Sequence, residues 1–205
     1  NLSYNHLQTD GFRQNNGFER DGFLLTSSVK LYDKGKLDFL INYIDYTAGI
    51  PSSINATDFR EDPSRAAANW LAARGFESNK YTLAGLSYSY FFSSNLKTTT
   101  SIFYTYLDHY EPRPFNILDE FTNGFGFRSI LEGKVFQGDF TIGAELYKDE
   151  YNWLTFFNQF RDNDGNGSLQ GAQLSNNKEF RSQLNLFGTY AYTIAPKFTA
   201  QVGMA

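Results

Sequence analysis

Three arginines, Arg60, Arg65 and Arg74, fall in a stretch with helix signals. Asp62 can cap, Pro63 suits a first helical position, Ala66–Ala68 and Ala72–Ala73 favour helix, and Gly75 can end it. Guanidinium groups grip carboxylates in bidentate fashion, so this stretch is expected to offer a basic face to an anionic ligand. The competing expectation is that these arginines stay solvated or pair with Asp58, Glu61 and Asp62. Arg13 with Gln14 forms a second polar candidate. Tyr110 and Arg113 form a third, in a run that Pro112 and Pro114 should stiffen.

Asp162-Asn-Asp-Gly-Asn-Gly follows the calcium-loop pattern, with oxygen ligands at Asp162, Asp164 and Asn166 and Gly167 for a sharp turn. The twelfth position is Gln173 instead of a bidentate Glu, and the flanks read as strand. Any calcium here would therefore be structural, and a plain turn cluster is the alternative. His109 with Asp108 and Glu111 is the one cluster resembling an acid–base pair. Neighbours on a strand point to opposite faces, so no catalytic residue is assigned and no enzyme is expected.

These candidates sit between segments of strict period-two alternation, which reads as strand. Leu37, Phe39, Ile41 and Tyr43 share one face; so do Ala84, Leu86, Tyr88, Tyr90 and Phe92, and so do Leu184, Leu186, Tyr190 and Tyr192. About nine such segments occur, each long enough for the ~9–11 residues of a membrane strand. Connections alternate. Short ones fall at Asp33–Lys36, Ser93–Asn95, Gln137–Gly138 and Ala195–Pro196, and long ones at Thr9–Arg20, Thr47–Asn79, His109–Asn123 and Asn152–Asn177. Aromatics cluster at both strand ends, with Phe91, Phe92, Tyr190, Tyr192 and Phe198 by the short turns. Tyr43, Tyr46, Tyr104, Tyr106 and Tyr110 lie toward the long loops.

That pattern predicts an all-β, antiparallel transmembrane β-barrel segment with short periplasmic turns and long extracellular loops. The apolar face would meet outer-membrane lipid. Arg128, Glu132, Lys134, Asp139, Glu145, Arg181 and Gln183 would line the interior. An open membrane sheet leaves backbone groups unpaired, so residues 1–205 are expected to form one partial barrel domain. Composition agrees. Aromatics make up 18% of 205 residues at a mean hydropathy of −0.45, because polar residues alternate with the rings. A net charge of −4 argues against nucleic acid as a partner, and zero Cys excludes thiolate metal sites.

Three segments carry a resemblance. Thr9-Asp-Gly-Phe-Arg-Gln-Asn-Asn resembles a loop motif of TonB-dependent outer-membrane receptors. Gly49-Ile-Pro-Ser-Ser-Ile, followed by Arg60–Trp70, resembles a loop of ferric-citrate and siderophore receptors. Asn177-Lys-Glu-Phe-Arg-Ser-Gln-Leu-Asn-Leu-Phe-Gly-Thr-Tyr, then Thr193–Phe198, resembles a late-barrel pattern of the same family. The resemblance implies an internal part of a barrel of about 22 strands with a plugged lumen. It also implies the cell outer membrane as location and energised uptake of a ferric chelate. The TonB complex would act through an N-terminal plug and TonB box that these residues lack. The ferric chelate enters as cargo, with no resident cofactor. On this resemblance Arg13, Gln14, Arg60, Arg65, Arg74, Tyr110 and Arg113 become candidate ligand contacts. The alternatives are a porin-like barrel for another nutrient and a surface protein whose loops bind partners.

Overall fold

The computed structural model describes all residues from Asn1 to Ala205. Nine strands form one antiparallel sheet in chain order, each pairing only with its sequence neighbours. They are β1 Leu2–Thr9, β2 Phe18–Leu31, β3 Gly35–Gly49, β4 Phe76–Ser93, β5 Leu96–Arg113, β6 Asn116–Val135, β7 Gly138–Asn158, β8 Gln170–Ala195 and β9 Phe198–Met204. Two single-turn helices, α1 Ala56–Glu61 and α2 Ala68–Ala73, lie between β3 and β4, and a 3₁₀ turn, Phe160–Asp162, precedes β8.

The register staggers steadily. Gly35 pairs with Tyr90, yet β4 runs on to Ser93; Leu96 pairs with Gly133, yet β6 runs on to Val135; Gly138 pairs with Tyr192, yet β8 runs on to Ala195. Each hairpin thus ends two or three residues beyond the one before it. This is the slanted edge that tilted barrel strands require. The sheet is an open arc of such a barrel.

Paired residues share a face, so the register sorts the two surfaces. One carries Phe39, Leu86, Ile102, Phe127, Leu146 and Leu184, in line across β3 to β8. Most of the exposed large apolar side chains of the strands lie on this face, including Phe125, Ile142 and Leu186. The other face carries Asp38, Ser87, Ser101, Arg128, Glu145 and Asn185 in one line. Only 16 of 205 residues are buried, and the apolar ones, Ala66, Ala73, Ile117 and Phe160, sit among the loops and strand tops. The sheet has no hydrophobic core of its own. Its apolar side is left without a protein partner, as a lipid-facing surface would be, and 124 of 142 backbone hydrogen bonds lie within the chain's helices and strands. Phe140, Tyr190 and Tyr192 ring the short-turn end of this face, and Tyr43, Tyr104 and Tyr106 ring the other. Tyr46 and Phe91, expected in these girdles, take the inward face, because each sits one residue out of phase with its neighbours.

Strands overrun the expected membrane span. β8 has 26 residues, about twice what the hydrocarbon layer needs. The long connections are correspondingly shorter than the sequence suggests: residues 10–17, 50–75, 114–115 and 159–169. Pairing simply continues into water, where polar residues at both faces cost nothing. His109–Asn123 is thus a hairpin and not a loop: Pro112 is a fully buried strand residue opposite Ile117, and only Pro114 and Phe115 turn the chain. The expected helix start at Asp62 and Pro63 is also displaced. Asn55 caps α1 by accepting from Thr57 and Asp58 N–H, Asp62 ends that helix, and the alanine run forms α2 separately. Asp62 instead accepts from Ser64 N–H and O–H, which turns the chain between the helices.

Candidate ligand-binding face

On β7, Lys148 is the first outward-facing charge beyond the apolar band, which is where a charge is expected once a strand leaves hydrocarbon. The inward face at this level gathers side chains from three strands. Asp149 on β7 lies opposite Arg181 on β8, and Tyr151 lies opposite Glu179. Arg181 Nε is 3.7 Å from Asp149 Oδ1 and 3.8 Å from Glu179 Oε2, and its guanidinium sits 4.8 Å over the Tyr151 ring. Tyr151 donates its phenol to Glu120 of β6. Asp149 is 8% exposed, and its Oδ1 has no hydrogen-bond partner. Further round, His109 Nδ1 is 2.8 Å from Asn79 Oδ1, while Glu111 lies 3.4 Å from Arg113 and 3.7 Å from His109 Nε2. Tyr46 donates to Glu77 at 3.2 Å. Carboxylates outnumber guanidinium groups on this wall.

Burial, then the hydrogen bond to Glu120 and that carboxylate's charge, push the Tyr151 phenol up to about 12. An unfolded phenol ionises near 10. Between about 10 and 12 the unfolded chain therefore releases a proton that the folded chain keeps, and stability falls as pH rises through that window. Absorbance at 295 nm should show one phenol, lost in Tyr151→Phe, titrating after the others. Co-titration near 10 would mean that neither burial nor the Glu120 contact acts on this phenol.

The candidate residues scatter over different roles. Arg13 donates from Nε and Nη2 to the Arg65 carbonyl at 3.0 and 2.8 Å, and Gln14 accepts from Ala66 N–H while its own N–H donates to Ser64. Both tie the first loop to the helical one. Arg65 lies 3.1 Å from Glu61, 3.4 Å from Asp58 and 3.7 Å from Asp62. Arg74 is exposed and donates to the Gly165 carbonyl at 3.3 Å, joining the helical loop to the one before β8. Arg60 is exposed without an ion pair. Arg113 donates to Asn116 and lies 5.1 Å from the Phe115 ring centre, on the inward face. Tyr110 belongs to the outward face, where it meets Phe76. Asp162 ends the 3₁₀ turn and Asp164 has φ of 49°, while Asn163 donates to the Gly167 carbonyl and closes the loop on itself.

Replacing Arg13 by Ala removes two hydrogen bonds worth about 0.5–1.5 kcal/mol each. Residues 10–17 should then be cut by protease roughly tenfold faster or more, as local opening becomes easier. An unchanged cleavage rate would show that the clamp does not hold the loop.

From the sequence Arg181 is expected inside, while nothing local marks Glu120, Asp149, Tyr151 and Glu179. Their common parity was legible; their convergence needs the pairing of β6, β7 and β8. A second set missed for the same reason is His6, Glu19 and Asp21 on the outward face, whose ligand atoms lie within 4.8 Å of one another. Tyr4 and His6 already occupy Asp21 Oδ1 at 2.6 and 2.9 Å.

An open antiparallel arc, apolar outside and charged inside, with strands overrunning the bilayer, has the fold of the TonB-dependent receptor barrel wall. Three solved structures share it. The unliganded ferric citrate transporter FecA aligns over 98% of this chain and 38% of its own, at 12% identity and a TM-score of 0.68. FpvA of P. aeruginosa, bound to a heterologous pyoverdine and iron, aligns over 98% and 32%, at 10% identity and 0.80. The ferric-catecholate import receptor Fiu from E. coli K12 aligns over 98% and 39%, at 11% identity and 0.69. The chain spans somewhat more than a third of the length of the first of these, and identities this low establish fold alone. No family model matches the chain, and no curated protein does.

Proposed function

We propose that this chain is part of the barrel wall of an outer-membrane receptor that takes up a ferric chelate, driven by the TonB complex. One observation carries the reading: a lipid-facing arc that holds charged and phenolic groups together on its inner face, beside tied loops. Such a wall lets a large polar solute be held in the lumen while the outer face stays in hydrocarbon. The fold is shared with proteins named for ferric citrate transport and ferric-catecholate import, which supports iron as the cargo. On this reading the remaining strands, the plug and the TonB contact belong to other parts of the polypeptide. The chain, on this reading, has a binding role and no catalytic one. Asp108 and His109 face opposite sides, and the imidazole meets Asn79 and Glu111, with no hydroxyl hydrogen-bonded to it.

The test is uptake of ⁵⁵Fe by iron-starved cells carrying the complete protein, across ferric citrate, catecholates and hydroxamates, with and without an uncoupler. Saturable uptake of at least one chelate, abolished by the uncoupler, is expected. Uncoupler-insensitive passage of unrelated solutes would identify a porin. No uptake, with binding confined to macromolecules at exposed loop residues such as Phe12 and Phe59, would identify a surface interaction protein.

A further inference from the structure

We infer that the inward cluster of Glu120, Asp149, Tyr151, Glu179 and Arg181 is a subsite for a cationic group, an ammonium or guanidinium, on the transported ligand. This deepens the receptor reading and rests on it. The cluster holds three carboxylates and a single guanidinium, with Asp149 and Glu179 beside Arg181 and Glu120 on the Tyr151 phenol, so it is short of positive charge. At 3.7 Å from Asp149 Oδ1, Arg181 Nε is beyond hydrogen-bond range. Asp149 is thus a carboxylate more than nine-tenths buried, on the inward face, with one oxygen lacking a donor. Buried polar atoms are normally satisfied, and an orphan one calls for a partner. An ammonium brings three N–H donors and a guanidinium five, and neither brings an acceptor that would add to the negative charge.

Glu120 has the Tyr151 phenol as its only side-chain donor, which leaves acceptor capacity beside the same ring. The Tyr151 ring already carries a guanidinium on its face, and an aromatic wall suits a cation. An anionic chelate gains nothing here. Three of the loop arginines that would attract it are engaged, Arg13 on a carbonyl, Arg65 among three carboxylates and Arg74 on Gly165, which leaves Arg60 alone exposed without an ion pair. The cargo that fits this wall is therefore a ferric chelate with a free cationic arm, neutral or positive overall.

The test uses the complete membrane protein in detergent micelles, titrated with 1,5-diaminopentane. Its doubly N-acetylated form, which lacks both charges, is the control. Trp153 lies opposite Glu120 on the same face, and the fluorescence lost in Trp153→Phe reports the site. A saturable response to the diamine at millimolar concentration is expected, with none to the acetylated form. Asp149→Asn and Glu179→Gln should each weaken it at least tenfold. Glu179 is exposed, so its variant keeps the test alive where Asp149→Asn disturbs folding. No saturable response, an equal response to the acetylated form, or a diamine affinity unchanged in both variants overturns the subsite. The ⁵⁵Fe assay separates the two readings: uptake without a diamine response leaves the receptor and removes the subsite. A diamine response without any ferric uptake removes the receptor.

Discussion

Leu186→Arg should destabilise the assembled barrel by about 2–4 kcal/mol, while Gln183→Arg, on the same strand, should change it little. Leu186 is 64% exposed on the apolar face, near the middle of the band that runs from Tyr192 to Leu184 on β8. Most of its side chain has no protein to pack on, so on the receptor reading its burial falls largely to lipid. An arginine there must be dragged to an interface or solvated by a bilayer defect. Gln183 is also exposed but faces inward, where its amide donates to Asn185 and water can reach a charge. The measurement is equilibrium urea unfolding of the complete barrel from phospholipid vesicles. Similar costs for the two variants would show that the faces are not divided between lipid and lumen, and the membrane assignment would fall with them.

That division is the part of the fold most legible in the residues. Period-two alternation is local, and each apolar set it defines falls on one face of the sheet: Leu37 to Tyr43 on β3, Ala84 to Phe92 on β4 and Leu184 to Tyr192 on β8. The interior set from Arg128 to Gln183 falls on the other. Strand ends were not legible. Hydropathy reports where lipid stops, and hydrogen bonding does not stop there, so β5 to β8 rise well past Tyr106 and Phe125 before turning. For the helical loop the residues allow two arrangements, a basic face or arginines paired with Asp58, Glu61 and Asp62. Arg65 takes the second, and that choice depends on the backbone turning at Asp62. The inward cluster failed for a different reason. Glu120, Asp149 and Arg181 are far apart in the chain and meet only through two strand registers, which a single sequence does not encode locally.

Gly126→Ala should cost about 1–3 kcal/mol, the range for overfilling a packed site, although the residue lies in the middle of a strand, where alanine ordinarily gains. A Cβ at Gly126 would stand 2.0 Å from Phe103 Cζ and 2.3 Å from Cε2. The Phe103 ring of β5 lies flat across the bare backbone of β6. Beyond it the Tyr147 ring of β7 is nearly parallel, 6.0 Å away at 14°. At Gly124, in the same strand, a Cβ would meet the Tyr147 hydroxyl at 2.2 Å. Two rings from flanking strands are thus seated on two glycines of the strand between them, which ties β5, β6 and β7 by side chains as well as by the ladder. Gly143 repeats the arrangement under Phe187, at 2.4 Å from its Cζ. Because the loss in Gly126→Ala comes from the displaced ring, removing the ring should remove it. The double variant Phe103→Ala, Gly126→Ala should be more stable than the sum of the two single losses predicts, by about 0.5–3 kcal/mol. Additive losses in the same urea experiment would mean that ring and glycine act independently. The overfilling account would then fall, since the Gly126 backbone is ordinary strand with no positive φ and offers no other cost.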